Sequence, residues 1–121
     1  MGEYIKTSLV IGGTRGIGSV VAGVLRDRGD RVITLSRREK NDENHISVDL
    51  SSEKQISQMS KKMGKKRINN LIFCHRYRGD KWGKEFQISL DAIHHTIENL
   101  NKNLTGNAAI VIIGSNASRF I

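Results

Sequence analysis

The stretch "LVIGGTRGIG", residues 9–18, constrains the fold more than any other part of the chain. An apolar run typical of a buried strand leads directly into four glycines within seven positions. After the glycines, apolar residues recur at helical spacing, at Ile17, Val20, Val21, Val24 and Leu25, and Gly29 follows where such a helix would end. The stretch therefore predicts a buried strand over residues 5–11, a tight turn and an amphipathic helix.

The rest of the chain alternates between strand and helix patterns. Strands are predicted over residues 31–36, 45–50, 70–74 and 108–113. A helix capped by Ser51 or Ser52 is predicted to run to about Met63, and it carries Ile56, Met59 and Met63 on one face. A longer helix is predicted from the spacing of Leu90, Ile93, Ile97, Leu100 and Leu104. Largely apolar strands separated by helices favour an α/β fold, a Rossmann-type doubly wound parallel sheet with five strands in residues 1–121.

Composition excludes several classes of protein and leaves the compartment as an expectation. The longest apolar run, residues 108–113, is too short to span a bilayer, and no secretory signal pattern follows the first residue. The single cysteine, Cys74, cannot form an internal disulfide, which fits a cytoplasmic protein. These features predict a cytoplasmic chain that does not bind membranes.

Positive charge is concentrated in the second half of the chain. The net charge is +8, and residues 61–121 hold 11 Lys and Arg against 4 Asp and Glu. Nucleic-acid binding would be one use of this charge. However, the basic residues are not interleaved with stacking aromatic residues, so we favour a solvated helix end and a loop, residues 75–84, that meets an anionic ligand.

A glycine turn between a buried strand and a helix is suited to binding an anion. Backbone N–H groups at the helix start point outward, the helix dipole favours negative charge, and glycine allows a phosphate to approach closely. The glycines fit G-x-x-x-G-x-G at Gly12, Gly16 and Gly18, and they fit neither G-x-G-x-x-G nor a P-loop. The alternative is a tight turn without a ligand, but its position between these elements favours nucleotide binding.

At this turn the chain resembles the short-chain dehydrogenase/reductase family, whose motif is T-G-x-x-x-G-[IL]-G. "IGGTRGIG" matches that motif except at Ile11. "VDL", residues 48–50, resembles the family's third strand, and "AIVIIGS" resembles the fifth strand, which ends in the catalytic serine. The resemblance implies that Ser115 is catalytic and that these residues bind the cofactor: Gly12, Thr14, Arg15, Gly16, Ile17, Gly18, Ser36, Arg37, Asp49 and Leu50.

The end of the second predicted strand favours NADP(H) over NAD(H). NAD-preferring enzymes of this fold usually place an acidic residue there to bind the ribose 2′-hydroxyl. This chain has Ser36 and Arg37 instead, followed by Arg38, and Arg15 lies in the glycine turn. A guanidinium can form two parallel charge-assisted hydrogen bonds with a 2′-phosphate. We therefore expect Arg37 and Arg15 to bind that phosphate.

Three departures from the family pattern concern catalysis. The family's N-N-A-G after the fourth strand falls on residues 73–76, which are "FCHR", and Ser89 replaces a helix asparagine that supports a proton-relay water. The family's Tyr-x-x-x-Lys, which supplies the general acid/base, does not follow Ser115 in these 121 residues. "YRGDK", residues 77–81, has that spacing but follows the wrong strand, and we interpret it as a coincidence.

An apolar fifth strand would be an exposed edge if nothing followed it, which natural sheets avoid. We therefore expect the sequence to be the cofactor-binding part of a longer, oligomeric protein. The resemblance implies an NADP(H)-dependent oxidoreductase that transfers a hydride between the nicotinamide and a small-molecule carbonyl or secondary alcohol. The alternative is a non-catalytic NADP(H)-binding or sensor module on the same scaffold.

Neither His94 and His95 nor the other histidines show the spacing of a metal site.

Overall fold

The computed structural model describes residues 5–12, 16–74 and 82–113, with only the backbone described for 82–89. The described elements are β1 (Thr7–Ile11), α1 (Gly16–Asp27), β2 (Arg31–Ser36), β3 (His45–Ser47), α2 (Glu53–Met63), β4 (Ile68–Phe73), α3 (Trp82–Leu100) and β5 (Leu104–Ile112). A single 3-10 turn over Asn101–Asn103 joins α3 to β5.

The strands form one sheet in the order β3-β2-β1-β4-β5, and every neighbouring pair is parallel. This confirms the predicted Rossmann-type α/β fold with five strands. Because β1 lies between β2 and β4, the strand order changes direction at the carboxyl ends of β1 and β4. In open α/β sheets, ligands bind at such a switch point.

Successive residues of β1 pack into different cores on the two faces of the sheet, as expected for a strand buried on both sides. Leu9 and Ile11 lie in the larger core, beneath α2 and α3, whereas Val10 lies in the smaller core, beneath α1. All three side chains have no solvent exposure. The pattern of the first predicted strand is thus correct, although the strand begins at Thr7 and Ile5 is exposed.

Helix α2 forms as its sequence predicts. Ser52 is the N-cap, and its hydroxyl accepts a hydrogen bond from the backbone N–H of Gln55 at 3.2 Å. The helix ends before Gly64, whose φ of 57° lies in the left-handed region. Ile56, Met59 and Met63 are buried, which confirms the predicted apolar face.

Helix α1 also forms, but only part of its apolar sequence faces the sheet. Gly18, Ala22 and Leu25 are buried, and they share one stripe because they are spaced by four and three residues. The small side chains of Gly18 and Ala22 let the helix lie close to the strands. Three of the residues that predicted the helix, Ile17, Val20 and Val24, form a neighbouring stripe and are between 58% and 66% exposed.

The other boundaries differ from the predictions at the ends of elements. Strand β3 ends at Ser47 rather than at residue 50, and β4 covers Ile68–Phe73 rather than 70–74. Leu104, predicted on the long helix, begins β5 instead. The pairing of β4 with β5 is irregular, because Ile68 pairs with Leu104 whereas Asn70 pairs with Ala109. In the described chain β5 is an edge strand, and its residues Ile110, Val111 and Ile112 are 42–56% exposed.

Polar side chains inside the sheet are connected to one another at its amino-terminal edge. The Ser8 hydroxyl, fully buried, donates to Asp30 Oδ2 at 2.8 Å and accepts from Asn70 Nδ2 at 3.0 Å. Arg28 binds both carboxylate oxygens of Asp30, with Nη2–Oδ2 at 2.6 Å and Nε–Oδ1 at 3.2 Å. This chain of bonds ties β4, β1 and the turn after α1 together at the edge opposite the glycine turn.

Candidate functional site

The sequence-predicted site residues that the structure describes lie at the carboxyl-terminal edge of the sheet. Backbone hydrogen bonds continue past the strands at this edge: Gly12 N–H donates to Leu35 at 2.7 Å, Val48 N–H to Ser36 at 2.8 Å and Cys74 N–H to Ile11 at 2.7 Å. These bonds hold the ends of β1 to β4 in register. The fold therefore brings the glycine turn, the double arginine and Asp49 to the same edge.

The glycine turn requires glycine at two of its described positions. Gly12 and Gly16 have φ values of 82° and 56°, in the left-handed region where a side chain is disfavoured. Helix α1 begins at Gly16 and runs for 12 residues. The turn therefore lies at the amino-terminal end of the helix, which carries the positive end of the helix dipole. Gly18 is buried against the sheet, and Ile17 is exposed. The predicted cofactor residues Thr14 and Arg15 lie outside the described residues.

The double arginine, Arg37 and Arg38, follows β2 directly and is exposed. Ser36 is half-buried, and its hydroxyl accepts a hydrogen bond from the backbone N–H of Arg38 at 3.2 Å. In the part of the chain that the structure describes, neither guanidinium forms an ion pair with a carboxylate. Both arginines are therefore exposed to solvent at the end of β2, which is the neighbour of β1, the strand that leads into the glycine turn.

Asp49 is held as an ionised acceptor at the end of β3. Its Oδ1 accepts from the hydroxyl of Ser51 at 2.7 Å and from the backbone N–H of Ser51 at 3.0 Å. These bonds, aided by the positive charge of Arg37, hold the pKa of Asp49 below its usual value. Both bonds go to Oδ1, so Oδ2 is used by neither of them. The neighbouring Leu50 is half-buried and packs against the larger core.

The residues that the sequence comparison with the family concerns for catalysis lie mostly outside the residues that the structure describes. Ser115, the predicted catalytic serine, lies outside the described residues, as do residues 75–81, including the "YRGDK" segment. Ser89 lies on α3, where the structure describes only the backbone. Phe73, the last residue of β4, and Cys74, which follows it, are 1% and 7% exposed.

Cys74 behaves as a core residue. It packs with Val10, Ile72 and Ala22 beneath α1. Burial raises the pKa of its thiol, so the reactive thiolate is disfavoured at neutral pH. Its packing and raised pKa therefore indicate a small core residue rather than a nucleophile.

His94 and His95 are neighbours on α3, and each lies close to a glutamate. His94 and His95 have ring centroids 5.8 Å apart with planes tilted by 51°. His94 pairs with Glu98 at 3.5 Å and His95 with Glu53 of α2 at 3.7 Å. Among the described residues, no group of three or more His, Cys, Asp or Glu could hold a metal ion.

Within the same residues, no helix combines the length and the apolar composition that a bilayer span requires.

Three residues at this edge were not predicted from the sequence. His45 and Ser47 of β3 bind the backbone carbonyls of Arg38 and Arg37, at 2.8 Å and 3.2 Å respectively. Gln55, on α2, accepts a hydrogen bond from the backbone N–H of Asp49 at 2.8 Å. The available signal was the alternation of His45 and Ser47 on a strand beside β2, since such residues share one face of the sheet.

No protein-family profile and no curated protein sequence matches the chain. Solved structures do match. A short chain dehydrogenase family protein from Francisella tularensis is 22% identical with a TM-score of 0.78, over 93% of this chain and 52% of its own. The RhlG/NADP active-site complex from Pseudomonas aeruginosa is 24% identical with a TM-score of 0.76, over 91% and 53%.

An oxidoreductase of the short chain dehydrogenase/reductase family from Brucella ovis, in complex with partially ordered NAD, is 22% identical with a TM-score of 0.67, over 83% of this chain and 58% of its own. The chain therefore spans about half the length of the structures that it matches. The TM-scores of 0.78, 0.76 and 0.67 establish the fold and, at these sequence identities, the fold alone. The described chain has the Rossmann-type fold of short-chain dehydrogenase/reductase structures.

Proposed function

We propose that the chain is the coenzyme-binding part of an NADP(H)-dependent oxidoreductase of the short-chain dehydrogenase/reductase type. The observation that carries the proposal is the exposed double arginine at the end of β2, beside the glycine turn at the switch point of the sheet. NADPH supplies a hydride, which would reduce the carbonyl carbon of a small-molecule substrate as the oxygen takes a proton. We expect this to occur in the cytoplasm, in an oligomeric protein.

The residues present fit the cofactor at three points. The left-handed glycines Gly12 and Gly16 place no Cβ at their own positions in the strand-to-helix turn, where a pyrophosphate would approach the start of α1. Arg37 offers a guanidinium for the 2′-phosphate, and no acidic residue occupies the two positions after β2 where it would repel that phosphate. Asp49 offers a carboxylate acceptor to the adenine amino group.

NADP(H) is preferred to NAD(H) on the basis of charge. Among similar structures, the P. aeruginosa complex contains NADP and the B. ovis complex contains NAD, so the fold accommodates either cofactor. The arginines therefore carry the distinction. A carboxylate after β2 would accept from a ribose hydroxyl, whereas a guanidinium donates to a phosphate.

Binding of NADPH and NADH to wild-type protein and to Arg37→Asp tests the proposal. We expect wild-type protein to bind NADPH more tightly, and the substitution to weaken NADPH binding by about 10- to 100-fold, because a charge-assisted contact is lost and a repulsion is added. NADH binding should change little. Arg31→Asp is the matched control, since Arg31 is an exposed arginine at the opposite end of β2. Equal losses for both cofactors would overturn the NADP(H) assignment.

Binding without catalysis is the second candidate function. It is favoured by the buried Phe73 and Cys74, which stand where the family has two asparagines. NADPH oxidation on addition of small aldehydes and ketones, measured on the full-length protein that contains this chain, separates the two functions. Turnover favours the oxidoreductase, and tight binding without turnover favours the sensor.

A further inference from the structure

The loop after β2 begins with the double arginine and returns along the sheet edge as β3. Strand β3 has three residues, and Thr34, Leu35 and Ser36 of β2 pair with its His45, Ile46 and Ser47. The loop is closed by backbone bonds from Thr34 N–H to Asn44 at 2.9 Å and from His45 N–H to Asp42 at 3.0 Å. Its conformation is thus fixed where it rejoins the sheet.

Both ring nitrogens of His45 are used inside the protein. His45 is 8% exposed. Its Nδ1 lies 2.7 Å from the Thr34 hydroxyl, and its Nε2 lies 2.8 Å from the Arg38 carbonyl oxygen. A carbonyl oxygen can only accept, so Nε2 must carry the hydrogen and donate it. In the neutral ring, Nδ1 then accepts from the Thr34 hydroxyl. A single tautomer therefore satisfies both contacts, and it anchors the backbone of Arg38 to β2.

Ser47 makes a second contact of the same kind. It lies two residues after His45 and therefore on the same face of β3. Its hydroxyl donates to the carbonyl oxygen of Arg37 at 3.2 Å. Together with the bond from Arg38 N–H to the Ser36 hydroxyl, three backbone groups of the double arginine are held by side chains of β2 and β3.

We propose that His45 and Ser47 are positioning residues for 2′-phosphate recognition, because they fix the backbone from which the Arg37 and Arg38 side chains extend. This proposal rests on the proposed NADP(H) function. An arginine side chain loses considerable conformational entropy when it binds a phosphate. A fixed backbone lowers this entropy cost, because fewer conformations are available before binding. Bidentate contact with a phosphate also depends on direction, so a loop that shifts weakens it more than it weakens contacts with the adenosine.

The test compares two probes that differ only in the 2′-phosphate, adenosine 2′,5′-bisphosphate and 5′-AMP, by NMR titration of the chain. We expect His45→Ala to weaken binding of the bisphosphate by about fivefold, the equivalent of one hydrogen bond, while 5′-AMP binding stays within about twofold. Ser47→Ala should act in the same direction. His45→Gln should restore much of the affinity, because its amide can still donate towards the Arg38 carbonyl.

His95→Ala is the matched control, since it removes a histidine from α3 that does not contact the loop. Ser47 is exposed, so Ser47→Ala tests the proposal even if His45→Ala does not fold. Parallel losses for both probes would overturn the proposal, because they would indicate a general structural role, and unchanged binding in both alanine variants would also overturn it. A wild-type chain that does not prefer the bisphosphate would instead refute the NADP(H) function, before any variant is compared.

Discussion

Replacing Asp30 with asparagine should destabilise the chain at neutral pH, and the loss should shrink in acid. Asp30 joins the fully buried Ser8 hydroxyl to Arg28, and its own side chain is 6% exposed. The bond from Ser8 is the part that solvent does not screen. A hydrogen bond to a charged acceptor contributes about 1.5 kcal/mol. The Arg28 end adds little to this figure, because that side chain is 54% exposed and solvent screens such pairs.

The pH dependence follows from the direction of the pKa shift. The hydrogen bond from Arg28, with that from Ser8, lowers the pKa of Asp30 below the ordinary value of 3.8. The unfolded chain therefore binds this proton more readily, so the stabilisation is fully present above about pH 5 and is lost as the pH falls through the folded pKa. The wild-type protein and Asp30→Asn should differ most near pH 7 and converge in acid.

Urea unfolding followed by circular dichroism between pH 3 and pH 7 measures both effects. A loss of about 1.5 kcal/mol should lower the urea midpoint at pH 7 by about 0.7 M. Asp27→Asn is the control, because it removes the same charge from an exposed position at the end of α1. A midpoint difference that is absent at pH 7, or that stays constant down to pH 3, would refute the reasoning.

Two further predictions concern the turn and the thiol. Gly16→Ala should destabilise the chain by about 1 kcal/mol in thermal unfolding, because Gly16 has a φ of 56°. Gly23→Ala in the same helix should be neutral or stabilising, since nothing lies within 4 Å of the added Cβ. Equal effects of the two substitutions would contradict the backbone conformation of Gly16. Cys74 should react slowly with a thiol reagent at pH 7 until urea unfolds the chain, because it is buried and its pKa is raised; rapid reaction in buffer would show an accessible thiol.

Local sequence predicted α2 and the parallel sheet of five strands well. The signals for α2 lie within the segment itself: the Ser52 hydroxyl caps it, Gly64 ends it, and the spacing of Ile56, Met59 and Met63 sets its buried face. The parallel sheet could be predicted because largely apolar strands alternate with helices, and the structure confirms it for five strands.

The buried face of α1 could not be predicted in the same way. Its apolar residues cover two neighbouring stripes, and periodicity does not tell which stripe meets the sheet. The small residues decide the outcome, because Gly18 and Ala22 allow close approach where Ile17 and Val20 would hold the helix away. A similar limit applies to β5: its start at Leu104 depends on pairing with Ile68, far away in the sequence.

The candidate site likewise has some features that local sequence predicts and others that depend on tertiary contacts. The sequence predicted which residues reach the carboxyl edge, because each follows a strand and the sheet is parallel: Gly12 follows β1, Arg37 follows β2 and Asp49 follows β3. It did not predict His45, because the alternation of His45 and Ser47 places both on one face of β3 but does not show that this face meets the Arg38 carbonyl. Topology brings the arginines to the edge, and tertiary hydrogen bonds fix their backbone. For that reason, selectivity for a 2′-phosphate should depend on residues that never touch it.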